Sequence, residues 1–294
     1  MQPRHVALAI LVAFIWGLNF VLIDVALVSF PPILLAALRF VLASLPVLFL
    51  PRPKVPWRRM VAIGSTLFVG QYALLFTGMA NGMPPGLASI ILQIQVFLTI
   101  LIAALALREW PSGRQLGGSI LALAGLALVA ATAGGADMTI VGLALTLLSA
   151  LSWSVGNVLL RSAGKVDMLA MISWLSLVPP LPLLALSLLT EGPARVTEAL
   201  AHPALPSVLA LAYTAFLSTS IAFAGWGQLL KLYPAATAAP FALLVPIFGT
   251  LAAALFVGEH FAALRLAGMA LIFIGLAAIA LPRSLFRVPG IGRA

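Results

Sequence analysis

The chain has no cysteine, which excludes disulfide bonds and thiolate-based metal or redox chemistry. Acid is nearly as scarce: seven Asp and Glu stand against sixteen Lys and Arg in 294 residues, and charged residues make up only 8% of the chain. A water-soluble globule is excluded, because so little charge cannot coat its surface. The three histidines, His5, His202 and His260, lie at the ends of apolar runs or in loops, so no apolar run carries a buried base, a metal-ligating set or a Ser/His/Asp constellation. An intramembrane enzyme therefore lacks its machinery, and no metal or cofactor is expected. The first apolar run begins at Val6 and leads into a second, which suits an anchor helix better than a removable leader. The net charge of +9 would suit a nucleic-acid partner, yet the basic residues sit in short breaks between apolar runs and not along one helix face. The partners expected are membrane lipid and a small solute, with no nucleic acid.

What is present is apolar side chain, 63% of all residues, with a mean hydropathy of +1.18. Runs of about twenty apolar residues fall near 6–28, 31–50, 59–81, 84–107, 113–132, 139–161, 167–189, 205–230, 235–257 and 263–281. Each run is continuous and far longer than a barrel strand, so the expected fold is an all-α membrane protein of ten spans. With the N-terminus in the cytoplasm, 13 of the 16 basic residues fall in cytoplasmic breaks; only Arg195 and Arg265 fall outside, and Arg39 lies within a span. That asymmetry places both termini in the cytoplasm and requires an even number of crossings.

Residues 84–130 return at 234–280 without a gap. Most of the identities are Ala or Leu, which this composition matches by accident, so the weight rests on four: Pro84 with Pro234, Glu109 with Glu259, Gly118 with Gly268, and Gly125 with Gly275. The first helices also match, AFIWGLNFVLID at 13–24 with ALSWSVGNVLLR at 150–161, which sets Trp16 over Trp153. Self-similarity on segments of bilayer length marks a carrier of two related halves, here 1–134 and 135–294. Five spans per half is an odd number, so the second half enters from the opposite face and the repeats are inverted.

A Trp-Gly-x-Asn stretch (Trp16, Gly17, Asn19), an Ala-Leu-Arg ending in Arg39, and glutamates followed by glycines after the fourth and ninth runs (Glu109, Glu259) together resemble the EamA-type transporters of the drug/metabolite transporter superfamily. The resemblance covers nearly the whole chain, and within that superfamily the chain is similar to YddG-like exporters of aromatic amino acids. It implies a ten-helix, inverted-repeat carrier in a bacterial inner membrane, exporting amino acids or related metabolites. Two departures make the halves chemically unequal. Asp24 stands where relatives often carry lysine, and proline midway along the fourth and ninth helices survives only as Pro246, opposite Val96.

The polar residues inside spans are the candidate site. Arg39 lies about 12 Å from the end of its helix at 1.5 Å per residue, where a charge needs a partner or a route to water. It reads as a structural ion pair with Asp24, as an arginine snorkelling to the interface, or as an anchor for a substrate carboxylate. Glu109 and Glu259 open the fifth and tenth helices, where capping is the expected use. Asn19, Gln71, Gln93, Gln95 and Asn157 are neutral amides suited to a carboxylate and an ammonium, while Tyr72, Phe76, Met79, Trp153 and Trp226 offer an apolar, polarisable wall. Interhelical hydrogen bonding and plain packing are the bland alternatives. Gln93 and Gln95, two apart on one helix, are expected to face different ways. Pro246 is the expected hinge of the ninth helix. The glycines of the fifth and tenth helices read as close packing within a monomer, or as a surface for a weak homodimer. No carboxylate lies deep in a span, which favours a facilitator over a proton-driven pump. A solute exporter leads; a passive metabolite channel and an exporter of other small drugs remain the alternatives.

Overall fold

The computed structural model describes residues 1–107, 112–132, 138–161, 163–164, 166–233, 241–242 and 244–280. Glu109 and Pro234 lie outside that set. The described residues form helices and no strand, as unbroken apolar runs demand when the backbone must satisfy its own hydrogen bonds. Eight helical stretches are long and apolar enough to cross a bilayer; Leu244–Val257 and Ala263–Ala278 are apolar but shorter. The chain is thus a multi-pass membrane protein.

Helix α1 is Pro3–Leu27, and α2, Pro32–Ser44, continues as a 3-10 turn over Leu45–Phe49. Proline opens both, where its missing N–H costs nothing. Next, α3 (Trp57–Gly64) passes through a π-helical stretch, Ser65–Gly70, into α4 (Gln71–Ala80). The fourth apolar run is split into α5 (Pro85–Ile91) and α6 (Ile94–Leu107). Then come α7 (Gly113–Ala130), α8 (Ile140–Arg161), α9 (Met168–Leu175), α10 (Pro180–Thr190) and α11 (Pro193–Ala201). Helix α12 (Leu205–Ala212) passes through a second π-helical stretch, Tyr213–Ile221, into α13 (Ala222–Leu232). The last two are α14 (Leu244–Ala252), which ends in π turns over Ala253–Val257, and α15 (Ala263–Ala280).

Side-chain clasps identify the two ends of the bundle. At one end the Tyr233 hydroxyl meets His5 Nδ1 at 2.7 Å and the Gln2 amide at 3.1 Å, and Trp174 Nε1 donates to the Leu50 carbonyl at 3.2 Å. At the other, Ala204 N donates to Ser29 Oγ at 3.1 Å, and Gly82, held at φ +89° where a Cβ would be strained, packs against Thr139.

Helices α7 and α15 form an antiparallel pair. Arg114 at the start of α7 donates from Nε to the Ala278 carbonyl near the end of α15 at 3.0 Å, while Arg265 at the start of α15 donates to Thr132 Oγ1 just beyond α7 at 3.0 Å. Between these clasps the glycines meet face to face. A methyl on Gly125 would lie 2.5 Å from the Gly268 carbonyl oxygen, and one on Gly268 would lie 2.7 Å from the Gly125 carbonyl oxygen. Gly118 and Gly275 face each other in the same way. Gly118, Gly125, Gly268 and Gly275 are therefore used in packing within one chain, while a methyl on Gly113 or Gly117 would meet nothing within 4 Å.

Candidate functional site

A cavity opens where the irregular stretches meet. On α1, Trp16, Asn19 and Phe20 share one face by their three- and four-residue spacing. That face lies near α14 because Gly17 lets the two helices touch: a methyl there would lie 2.5 Å from Phe248 Cβ. Helix α4 takes over as the first π stretch ends and delivers Gln71, Tyr72 and Leu75. The second π stretch supplies Ser218, and Phe223 follows on α13. Trp153 of α8 and Val245 of α14 close the wall, and the empty volume, mouth included, is about 720 Å³.

The π stretches hold a cross-bundle pattern. A π turn shifts each hydrogen bond by one residue, and Thr219 Oγ1 returns to the Thr214 carbonyl five residues back, at 2.9 Å. In the second half Trp16 Nε1 donates to the Ser218 carbonyl at 3.0 Å; in the first, Ser152 Oγ donates to the Thr66 carbonyl at 2.7 Å. The stretches Ser65–Gly70 and Tyr213–Ile221 thus each accept a hydrogen bond from a helix of the other half of the chain.

The fourth run breaks at residues 92–93, where Gln93 N and Gln95 N bond back only three residues, to the Ile90 and Leu92 carbonyls, both at 3.0 Å. With the helix interrupted, Gln93 and Gln95 both line the cavity, and their amides meet at 3.4 Å. This corrects the expectation that they face different ways, which assumed one continuous helix. Pro246 is buried in α14, where its carbonyl accepts from Thr250 Oγ1 at 2.7 Å.

Six of the ten expected lining residues stand in the wall: Asn19, Gln71, Tyr72, Gln93, Gln95 and Trp153. The other four lie behind it. Asn157 donates to Gln95 Oε1 at 3.4 Å, Phe76 sits edge-on to Tyr72 at 5.5 Å, Trp226 leans on Trp16 at 5.6 Å, and Met79 is in the apolar core. Sequence reasoning missed Ser89, Ser218 and Phe223. The two serines are unremarkable by type, and Phe223 is one of sixteen phenylalanines.

The ion pair expected between Asp24 and Arg39 is not formed. Arg39 is 1% exposed, and its Nε donates to Thr219 Oγ1 at 3.0 Å while Nη2 reaches the Tyr72 hydroxyl at 3.2 Å and Ser218 Oγ at 3.5 Å. Its guanidinium carbon lies 4.3 Å from the Tyr72 ring centre. The second helix turns this side chain toward α4 and the second π stretch, away from Asp24. Three buried groups at or beside the cavity have no protein partner among the described residues: Arg39 Nη1, Asn19 Oδ1, and both amide atoms of Gln71. Groups of this kind cost about 1–3 kcal/mol each when left unmet.

Two carboxylates close one end of the bundle. Glu259 accepts from Gly86 N at 2.8 Å and Leu87 N at 3.3 Å, capping α5 and not the helix that follows it in sequence. Burial raises its carboxyl above the ordinary value; the two N–H donors and Arg265 lower it, and Asp24 adds to the rise. Glu191 accepts from Ile33 N at 2.7 Å and Leu34 N at 3.0 Å, capping α2, and takes a further bond from Ser187 Oγ at 2.6 Å. The polar segment at 190–203 thus supplies, through Glu191, a clasp between the two halves of the chain.

A model of the EamA-like transporter family matches the chain twice, over residues 4–131 and 140–281. The chain is 40% identical over 282 residues to a protein of Salmonella typhimurium named "Probable amino-acid metabolite efflux pump", covering 94% of each. A protein of the same name in Escherichia coli is 38% identical, again over 94% of each. A solved crystal structure superposes with a TM-score of 0.61 at 22% identity, covering 94% of this chain and 98% of that one, which places the fold alone. With two family matches that together span almost its whole length, this chain belongs to the EamA-like transporter family.

Proposed function

We propose that the protein exports amino acids and related small metabolites across a bacterial inner membrane, taking aromatic and other apolar side chains by preference. Ten spans cross the bilayer as two inverted five-helix repeats, with both termini in the cytoplasm. The cavity is exposed to each side in turn as one half rocks against the other. The observation that carries this reading is the wall itself: Asn19 Oδ1 and both amide atoms of Gln71, without protein partners among the described residues, stand beside Trp16, Tyr72 and Trp153. Such a wall matches a solute with a polar head and an apolar tail. Three further features support it. Two relatives, 40% and 38% identical, bear the name "Probable amino-acid metabolite efflux pump". The end of the bundle that bears Gln2, Leu50, Arg114 and Tyr233 is the basic-rich end, as a cytoplasmic face should be. And both π-helical stretches and both Glu clasps join one half to the other, so they stand where rocking must occur.

The test is flux in liposomes carrying the purified protein and a panel of labelled amino acids. Saturable efflux of phenylalanine and tryptophan, accelerated by unlabelled solute on the far side, is the expected result. Flux that neither saturates nor exchanges indicates a passive channel. Background amino-acid signals alongside movement of sugars or nucleotides would falsify the reading of the cavity.

A further inference from the structure

We propose that Arg39 makes the cavity select solutes bearing a free carboxylate, acting through the hydroxyls of Tyr72 and Ser218. This deepens the exporter reading and rests on it. Arg39 is a positioning residue in this scheme, since it stands one layer behind the wall while Tyr72 and Ser218 are in it. The argument follows the hydrogens. The Thr219 hydroxyl accepts from Arg39 Nε and gives its own hydrogen to the Thr214 carbonyl, so its capacity is spent. Tyr72 and Ser218 also accept from Arg39, but among the described residues nothing accepts from them. A hydroxyl whose lone pair is engaged by a cation keeps its hydrogen to donate. The cavity therefore presents two O–H donors backed by a guanidinium, a group that keeps its charge, whose hydrogen-bond partners among the described residues are hydroxyls and no carboxylate. In a site largely screened from water, that positive potential favours an anion. Asn19 Oδ1 and Gln71 Oε1, both buried and unmet, offer acceptors for an ammonium group. Donors backed by charge together with free acceptors fit the two ends of a zwitterion.

The experiment uses the full chain in liposomes, with labelled phenylalanine or leucine as the moving solute and the matching carboxamide as competitor. The carboxamide keeps the ammonium and the side chain but loses the negative charge. Wild type should be inhibited by the amide at least about tenfold more weakly than by the unlabelled acid, the loss of one charge-assisted hydrogen bond. In Arg39→Met, and in the double variant Tyr72→Phe with Ser218→Ala, that discrimination should fall to about threefold or less. The double variant keeps the charge and the arginine packing, so it decides the matter should Arg39→Met not fold. Equal competition by acid and amide in wild type overturns the proposal while leaving the exporter reading intact. Undiminished discrimination in the double variant overturns it too. No flux of any amino acid in wild type removes both readings.

Discussion

The α7–α15 pair and the cavity are built by opposite rules. In the pair, Gly125 and Gly268 bring two backbones into contact, and an arginine at the head of each helix bonds to the end of the other. In the cavity, Gln71 is fully buried with neither amide atom met among the described residues, Asn19 Oδ1 is likewise unmet, and the Arg39 guanidinium is held by hydroxyls and not by an acid. The pair stabilises the protein; the unmet groups of the cavity cost stability, which fits the proposed binding site. Substitutions should therefore separate fold from flux.

The largest effect is expected for Gly125→Leu, whose side chain would collide with the Gly268 carbonyl and the Ile272 backbone, neither of which can yield. Overpacking a site of this kind costs about 1–3 kcal/mol or more, so the yield of monodisperse protein and its melting temperature in detergent should both fall sharply. Next is Gln71→Leu. It removes two unmet buried atoms, so the melting temperature should hold or rise, while phenylalanine flux drops at least about tenfold, the equivalent of one lost hydrogen bond to substrate. A joint loss of flux and stability would erase the contrast. Pro246→Ala is expected to act more gently, slowing flux more than it weakens binding of the same solute; equal losses in both assays would remove the proline from any hinge role. The smallest effect concerns Glu259→Gln. A carboxyl whose folded-state pKa is raised favours the folded protein below its ordinary value of 4.5, and that contribution is lost as pH climbs through the raised value. The melting temperature of wild type relative to Glu259→Gln should thus be highest in acid and decline toward neutrality. A difference that is flat, or that grows with pH, contradicts the stated balance of burial and capping.

The same contrast marks what the sequence disclosed. Spans are legible because twenty apolar residues in a row have few other solutions, and close packing on α7 and α15 is legible because Gly118, Gly125, Gly268 and Gly275 repeat at fixed spacing, although that spacing does not say that the two helices pack on each other. The amides of the cavity are legible too, since Asn19, Gln71, Gln93 and Gln95 stand out in apolar runs. What stayed hidden is how the wall is aimed. A π turn differs from an α turn by one residue of hydrogen-bond register and leaves no compositional mark, so Ser218 gave no signal. The break at residues 92–93 occurs with neither glycine nor proline at those positions. Asp24 suggests itself as one partner for Arg39 because the two lie on consecutive helices, whereas Ser218 and Thr219 come from about 180 residues further along. Glu191 and Glu259 each cap a helix more than 150 residues away, a pairing that no local pattern records.

The account turns on one cavity that each face of the membrane reaches in turn. Because the native chain has no cysteine, a thiol placed at Ser89 would be the only one present, and Ser89 lines the cavity while 1% exposed. The measurement is the rate at which a membrane-impermeant maleimide labels Ser89→Cys from the outside of cells and, separately, from the cytoplasmic face of inverted vesicles. Labelling from both faces, slowed by saturating phenylalanine in each case, is the predicted result. A thiol reached from one face only, at a rate no solute changes, would contradict it.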